Sequence, residues 1–278
     1  MHRQKWRQSI TGGSLGWDGE LWLPPSIPIP MATVVSWLMT PEGFVIGSDG
    51  RKTDSEGQSA SDNSQKIFPI EGKGLCLAYG LAATIRIGQA AENVLFDFKK
   101  ETARTVERLA LHPPKNWWEF LSAVMVELRE ALNRARSASN DTLAREAGTY
   151  IFMGGIYGKH FKSGHLYFRH GITTSEAEPY IHPPGSIPPP FGSPKVFEAL
   201  ASGDARLARY SNPPRQGIAT LASAIERVQN EVLAHCDPEA RNVDNAPEWP
   251  YGGRVQIASI TVRDGFRWVT GFEPLTVG

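Results

Sequence analysis

From Thr33 to Met39 the chain reads TVVSWLM, an unbroken β-branched and apolar run. TPEG at 40–43 is a turn signal, and FVIGSD at 44–49 follows, so the two runs predict a hairpin. QKIFPI at 65–70 and GLCLAYG at 74–80 predict a second strand pair across EGK. RKTDSEGQSASDNS between the pairs reads as a polar loop. TYIFMGGIYG at 149–158 with GHLYFRH at 164–170 is a third hairpin. GRVQIASITVRDGFRWV at 253–269 is a fourth, turning at Asp264-Gly265.

Elsewhere the period changes to that of a helix. From Thr84 to Leu111, Ile87, Ala91, Val94, Leu95 and Phe98 fall on one side, and HPP at 112–114 breaks the pattern. From Trp117, apolar residues recur at Phe120, Leu121, Val124, Leu128 and Leu132. HPPGSIPPPFGSP at 182–194 is a proline-rich loop leading to KVFEALASGDARLARY. In 217–235, Ile218, Leu221, Ile225, Val228 and Val232 are in helical phase. The order is strands, two helices, strands, two helices, strands, without an internal repeat of solenoid length. Hairpin connections make the sheets mainly antiparallel, and each helix pair must bury one face on a sheet. An α+β fold follows: a four-layer αββα sandwich of two packed sheets with helices outside.

Composition narrows the function. The 278 residues are 41% hydrophobic and 21% charged, with zero formal net charge and no long Lys/Arg run. Nothing suggests a nucleic-acid groove, and no apolar stretch reaches the roughly 18 residues of a membrane span. Cys76 and Cys236 are far apart, with neither a disulfide framework nor metal-ligand spacing. They read as buried thiols in a reducing, cytoplasmic compartment. Residues 1–30 differ from the rest. Their basic start has no apolar h-region, and LWLPPSIPIP holds four prolines in ten residues. They read as a tail, a removable pro-segment or an extension upstream of a start at Met31, with one domain over 31–278.

The pieces TVVSW, GFVIGSDGRKT, SDNSQKIFPI, LAYGLAAT, IFMGGIYG, FGSPKVFEAL and YGGRVQIASITVRDGFRWV resemble, in order, the proteasome β-type subunits and their bacterial relatives. These are N-terminal nucleophile hydrolases, and the resemblance covers roughly residues 32–270. It implies cleavage of a peptide or amide bond through an acyl-enzyme, without metal or organic cofactor. The nucleophile is the hydroxyl of the first residue, whose own α-amine, with a pKa near ~8, takes the proton. On this resemblance Asp49 matches the aspartate that orients a lysine, and Lys66 that lysine. Gly80 matches the glycine whose N–H lines the oxyanion hole, and Ser193 a serine beside the terminal amine. The plainer readings are a turn residue, a solvated strand end, an αL glycine and a helix N-cap. For Ser193 the cap is preferred; for Asp49 with Lys66, the functional pair.

The nucleophile stays open. Anchoring on Asp49 without gaps puts Thr33 first; anchoring on the strand TVVSW puts Ala32 there, which has no hydroxyl. Methionine removal at Met31 would expose Ala32, and Thr33 needs one further cut. Thr33, Val35 and Trp37 share one strand face. A silent subunit of the same fold and a small-molecule amidase are the alternatives. Before Gly252-Gly253, Glu248 and Tyr251 stand where relatives often carry an aspartate and a serine. His160, His165 and His170 are spaced by five and do not suggest a common metal site. Trp117-Trp118 reads as core or subunit interface. The resemblance further implies a homo-oligomeric ring or stack; an unfoldase partner is not readable.

Overall fold

The computed structural model describes residues 33–53, 59–88, 94–139, 147–171, 174–182, 190–210, 218–246 and 249–275. The strands are β1 (Val35–Met39), β2 (Phe44–Ser48), β3 (Lys52–Thr53), β4 (Ser59–Ser61), β5 (Ile67–Gly72), β6 (Leu75–Ala82), β7 (Arg86–Ile87) and β8 (Phe96–Asp97). Helices α1 (Phe98–Leu111) and α2 (Trp117–Ser139) follow, then β9 (Ala147–Tyr157), β10 (His160–His170) and β11 (Ser175–Ile181). The chain continues through α3 (Pro194–Ser202), a 3-10 turn (Ala205–Tyr210), α4 (Leu221–Cys236) and α5 (Pro238–Asp244). It ends with β12 (Gln256–Thr261) and β13 (Gly265–Trp268).

One sheet runs β1-β2-β12-β13 and the other β11-β10-β9-β6-β5, and every pairing in them is antiparallel. Val35, Trp37, Phe44, Ile46, Ala258 and Ile260 of the first sheet meet Ile67, Ala78, Ala82 and Phe152 of the second. Helices α1 and α2 cover the outer face of the second sheet through Phe98, Val106, Phe120, Leu121, Val124 and Leu128. Helix α4 covers the first sheet, where Val228 and Val232 pack with Val34, Leu38, Val45 and Ile257. Helices α3 and α5 pack beside α4. This is the four-layer αββα sandwich.

Strand β6 shows why its sequence is apolar throughout. Leu75, Leu77, Tyr79 and Leu81 face the helices, while the small Ala78 and Ala82 face the other sheet. A strand buried on both faces has no polar side. Close approach demands small residues at the sheet contact: a Cβ on Gly154 would lie 2.4 Å from the Phe44 ring.

Several predicted elements shift. The helix expected from Thr84 begins only at Phe98, where Asp97 caps it by accepting from the Lys100 amide at 3.2 Å. Before it, β7 and β8 pair (Arg86 with Asp97, Ile87 with Phe96), and Val94 and Leu95 are exposed. Ala91 lies outside the described residues. The polar loop after Asp49 contains the short β3–β4 pair, and β11 extends the second sheet with a strand that alternation did not reveal. Gly265 pairs with Thr261, so the last turn is 262–264. Trp117 is core and its indole donates to the Ser163 carbonyl at 3.2 Å, whereas Trp118 is exposed. Cys76 and Cys236 are both free.

Candidate active site

Thr33 precedes β1, Asp49 follows β2 and Lys66 precedes β5, so strand ends from both sheets converge. Val35 and Trp37 face the inter-sheet core, and alternation puts Thr33 on that same face. The Lys66 ammonium donates to Thr33 Oγ1 at 2.9 Å and to Asp49 Oδ1 at 2.9 Å. All three are buried, Asp49 completely and Lys66 to 8% exposure.

Asp49 is held from three sides. Oδ1 also accepts from the Val34 amide at 3.1 Å, and Oδ2 accepts from the Gly252 amide at 3.2 Å. Burial raises the carboxyl above its ordinary value, while Lys66 and the two amides pull it back. The Gly252 carbonyl in turn accepts from the Gly50 and Arg51 amides, at 3.1 and 2.8 Å. Gly252 has φ 146, and a Cβ there would lie 2.7 Å from the Arg51 guanidinium. Only glycine fits that backbone and that approach.

Gln256 was missed from sequence. Its Oε1 accepts from the Lys66 amide at 3.1 Å and its Nε2 donates to the Ser64 carbonyl at 2.7 Å. The side chain ties β12 to the segment that presents Lys66, across the two sheets. The signal in the sequence is a polar amide interrupting the apolar run VQIAS.

Gly80 lies inside β6, paired with Ile67 and with Phe152. The Leu81 amide donates to the Lys66 carbonyl at 3.2 Å, on the β5 side. Amides alternate along a strand, so that of Gly80 points to β9 and is committed to the ladder. A Cβ there would crowd Val35 Cγ1 at 3.3 Å and Ile46 Cδ1 at 3.2 Å, so the small residue suits the close approach of the sheets.

Ser193 is the N-cap of α3, accepting from the Val196 amide at 3.3 Å. It is nevertheless near the site. Val35 and Phe191 exchange two backbone hydrogen bonds, both 2.8 Å, in an antiparallel bridge. Ser193 follows Phe191 by two residues, as Thr33 precedes Val35 by two. Tyr251 is buried against His235 and Trp249, and its carbonyl accepts from Arg51 Nη1 at 3.1 Å. Glu248 lies outside the described residues. The three spaced histidines separate: His160 is exposed, His165 contacts His182 at 3.0 Å, and His170 contacts Thr149 and Ser175, each at 2.9 Å.

The fold is thus an α+β sandwich of two facing antiparallel sheets between helix layers, with Thr33, Lys66 and Asp49 joined where the strand ends meet. Among solved structures, the chain is similar to Anbu (ancestral beta-subunit) from Yersinia bercovieri, with 13% identity over 87% of this chain and 88% of that one, TM-score 0.46. It is also similar to the Anbu (Gly-1) mutant from Hyphomicrobium sp. strain MC1, with 12% identity over 85% and 84%, TM-score 0.49. No family model matches the chain, and no curated protein does. The expected membership of the proteasome β-type family is therefore corrected: these neighbours carry the separate Anbu name. At such distances neither likeness assigns family or function, and the fold rests on the sheets described above. Among the described residues no helix is long and apolar enough to cross a membrane.

Proposed function

We propose that the protein is an amide hydrolase whose nucleophile is Thr33, released as an amino terminus by a cut after Ala32. The observation that carries this reading is Lys66 Nζ, 2.9 Å from both Thr33 Oγ1 and Asp49 Oδ1. A buried lysine tied only to structure needs its carboxylate; this one also donates to a hydroxyl at the mouth of the first strand.

In this reading the Thr33 hydroxyl attacks the substrate carbonyl carbon and gives its proton to the freed Thr33 α-amine. The Lys66 charge stabilises the developing negative charge on Oγ1, and Asp49 keeps that ammonium aimed. The protonated amine passes its proton to the leaving nitrogen, the C–N bond breaks, and an ester to Thr33 remains. Water, deprotonated by the same amine, hydrolyses the ester. While Thr33 is joined to Ala32 its nitrogen is an amide and cannot act as base, so the cut switches the site on. Residues 1–32 are then a removable leader.

The test is purification without added protease, followed by N-terminal sequencing and assay on acylated peptide amides and on short acyl-amides. Hydrolysis by a chain beginning at Thr33, and its loss in Thr33→Ala, is the expected result. Cleavage of short acyl-amides alone would make it a small-molecule amidase. An inert chain beginning at Ala32 would mark a silent subunit.

A further inference from the structure

The buried face of α4 carries three polar residues at one-turn spacing, Arg227, Glu231 and His235, and Glu231 reaches β1. The Glu231 carboxylate accepts from Ser36 Oγ in β1 and, at 2.5 Å, from Arg227 Nε. His235 reaches the neighbouring segment: its Nε2 accepts from the Ser193 amide at 3.1 Å, and its Nδ1 contacts the Glu231 carbonyl at 2.8 Å. An amide can only donate and a carbonyl can only accept. The imidazole is therefore neutral, protonated on Nδ1 with the lone pair on Nε2.

That lone pair holds a corner of the chain in place. A Cβ on Gly192 would lie 2.7 Å from His235 Nε2, so the ring packs directly on the backbone of 192–193. Phe191, two residues earlier, bridges Val35, two residues after Thr33. Ser193 also caps α3, so one imidazole fixes where the segment leaves β1 and where the helix begins.

We infer that His235 is a positioning residue for the Thr33 site, holding Gly192-Ser193, the segment next to the Val35–Phe191 bridge, only while its imidazole is neutral. The inference rests on the proposed nucleophile and adds acid sensitivity to that site. The groups facing the ring are Glu231 on its own helix, Asp244 from α5, Tyr251 from the segment before β12, and the uncharged Ser193 and Phe197. Complete burial outweighs the two carboxylates and lowers His235 to about 4, consistent with a neutral ring at ordinary pH. A proton on Nε2 turns the acceptor into a second donor facing the Ser193 N–H, and the contact becomes repulsive.

The test uses His235→Asn and His235→Gln in the full chain, at pH 7 and in steps down to pH 4. Asn retains a donor near Nδ1 but no acceptor at Nε2; Gln places a non-titrating acceptor near Nε2. Two readouts are followed: amide exchange of the Ser193 segment, and the rate at which an aromatic β-lactone esterifies Thr33. In H235N we expect at least tenfold faster Ser193 exchange and at least tenfold slower esterification, with H235Q recovering the greater part of both. Wild-type protection at Ser193 should fall on acidification while that of H235Q does not. Protection and rate within twofold of wild type in folded H235N would overturn the inference. So would wild-type protection that persists at pH 4. If the wild type is never esterified but exchange follows the expected pattern, the nucleophile reading fails while the hold on 192–193 stands.

Discussion

Lys66 and Asp49 are seventeen positions apart and meet at 2.9 Å, with the carboxylate completely buried. The pair joins the two sheets, since Asp49 directly follows β2 of one and Lys66 directly precedes β5 of the other. Two ions out of water cost several kcal/mol each in desolvation. Mutual attraction offsets that here because Val34 and Gly252 donate to the same carboxylate. The pair is thus a poor choice for stability alone, and in the proposed reaction it aims an ammonium at Thr33.

Removing the lysine tests both halves of that statement. Lys66→Ala leaves Asp49 buried without its counter-ion and should cost roughly 3–5 kcal/mol in urea unfolding. Esterification of Thr33 should fall at least ~100-fold. A folded variant with the wild-type esterification rate would exclude Lys66 from the chemistry.

Gln256 should act through Lys66 alone. Gln256→Leu strips a hydrogen bond from the Lys66 amide and from the Ser64 carbonyl, costing about 1–3 kcal/mol. The turnover number should drop while KM stays near its wild-type value, because a shifted ammonium affects the reacting atoms more than substrate binding. A rise in KM at constant turnover would instead put Gln256 in the substrate pocket.

The inter-sheet contact has its own test. Gly154→Ala drives a methyl into the Phe44 ring, and such overpacking costs about 1–3 kcal/mol. Phe44→Leu in the same chain should recover part of the loss, seen as a partial return of the melting temperature. Equal or greater damage in the double variant would contradict the contact.

Acid should weaken the fold before carboxylates titrate. Burial lowers His165 to about 3 and His170, His182 and His235 to about 4, from an ordinary 6.5. The unfolded chain then binds more protons than the folded one between pH 6.5 and 4, so stability falls as pH falls through that window. Asp49, raised by burial, acts in the opposite sense, one group against four. The melting temperature should decline steadily from pH 6.5 to 4; a flat profile there would show that these histidines are not held neutral in the fold.

Much of this was legible in the sequence because strand alternation and turn chemistry are local. The hairpin 33–49, the pair 65–80 and the phase of Val228 and Val232 need no distant partner to be seen. The Thr84–Phe98 stretch misled because Ile87 and Phe98 share a helical phase, yet Ile87 is buried through strand pairing with Phe96. Asp49 and Lys66 could be matched by spacing, but whether they touch depends on two sheets closing. Gln256 and His235 sit on apolar faces as polar exceptions, and their partners, Lys66 and Ser193, are 190 and 42 positions away. Gly80 could be matched by spacing, while its place inside β6, between Ile67 and Phe152, is revealed only by the register.

The central claim is that Thr33, once freed, carries the nucleophile. Intact mass and fragment sequencing of the purified chain, before and after an aromatic β-lactone, test it most directly. The expected result is a chain starting at Thr33 that gains one acyl group on that residue. A chain starting at Met1 or Ala32, with no adduct on Thr33, would contradict it.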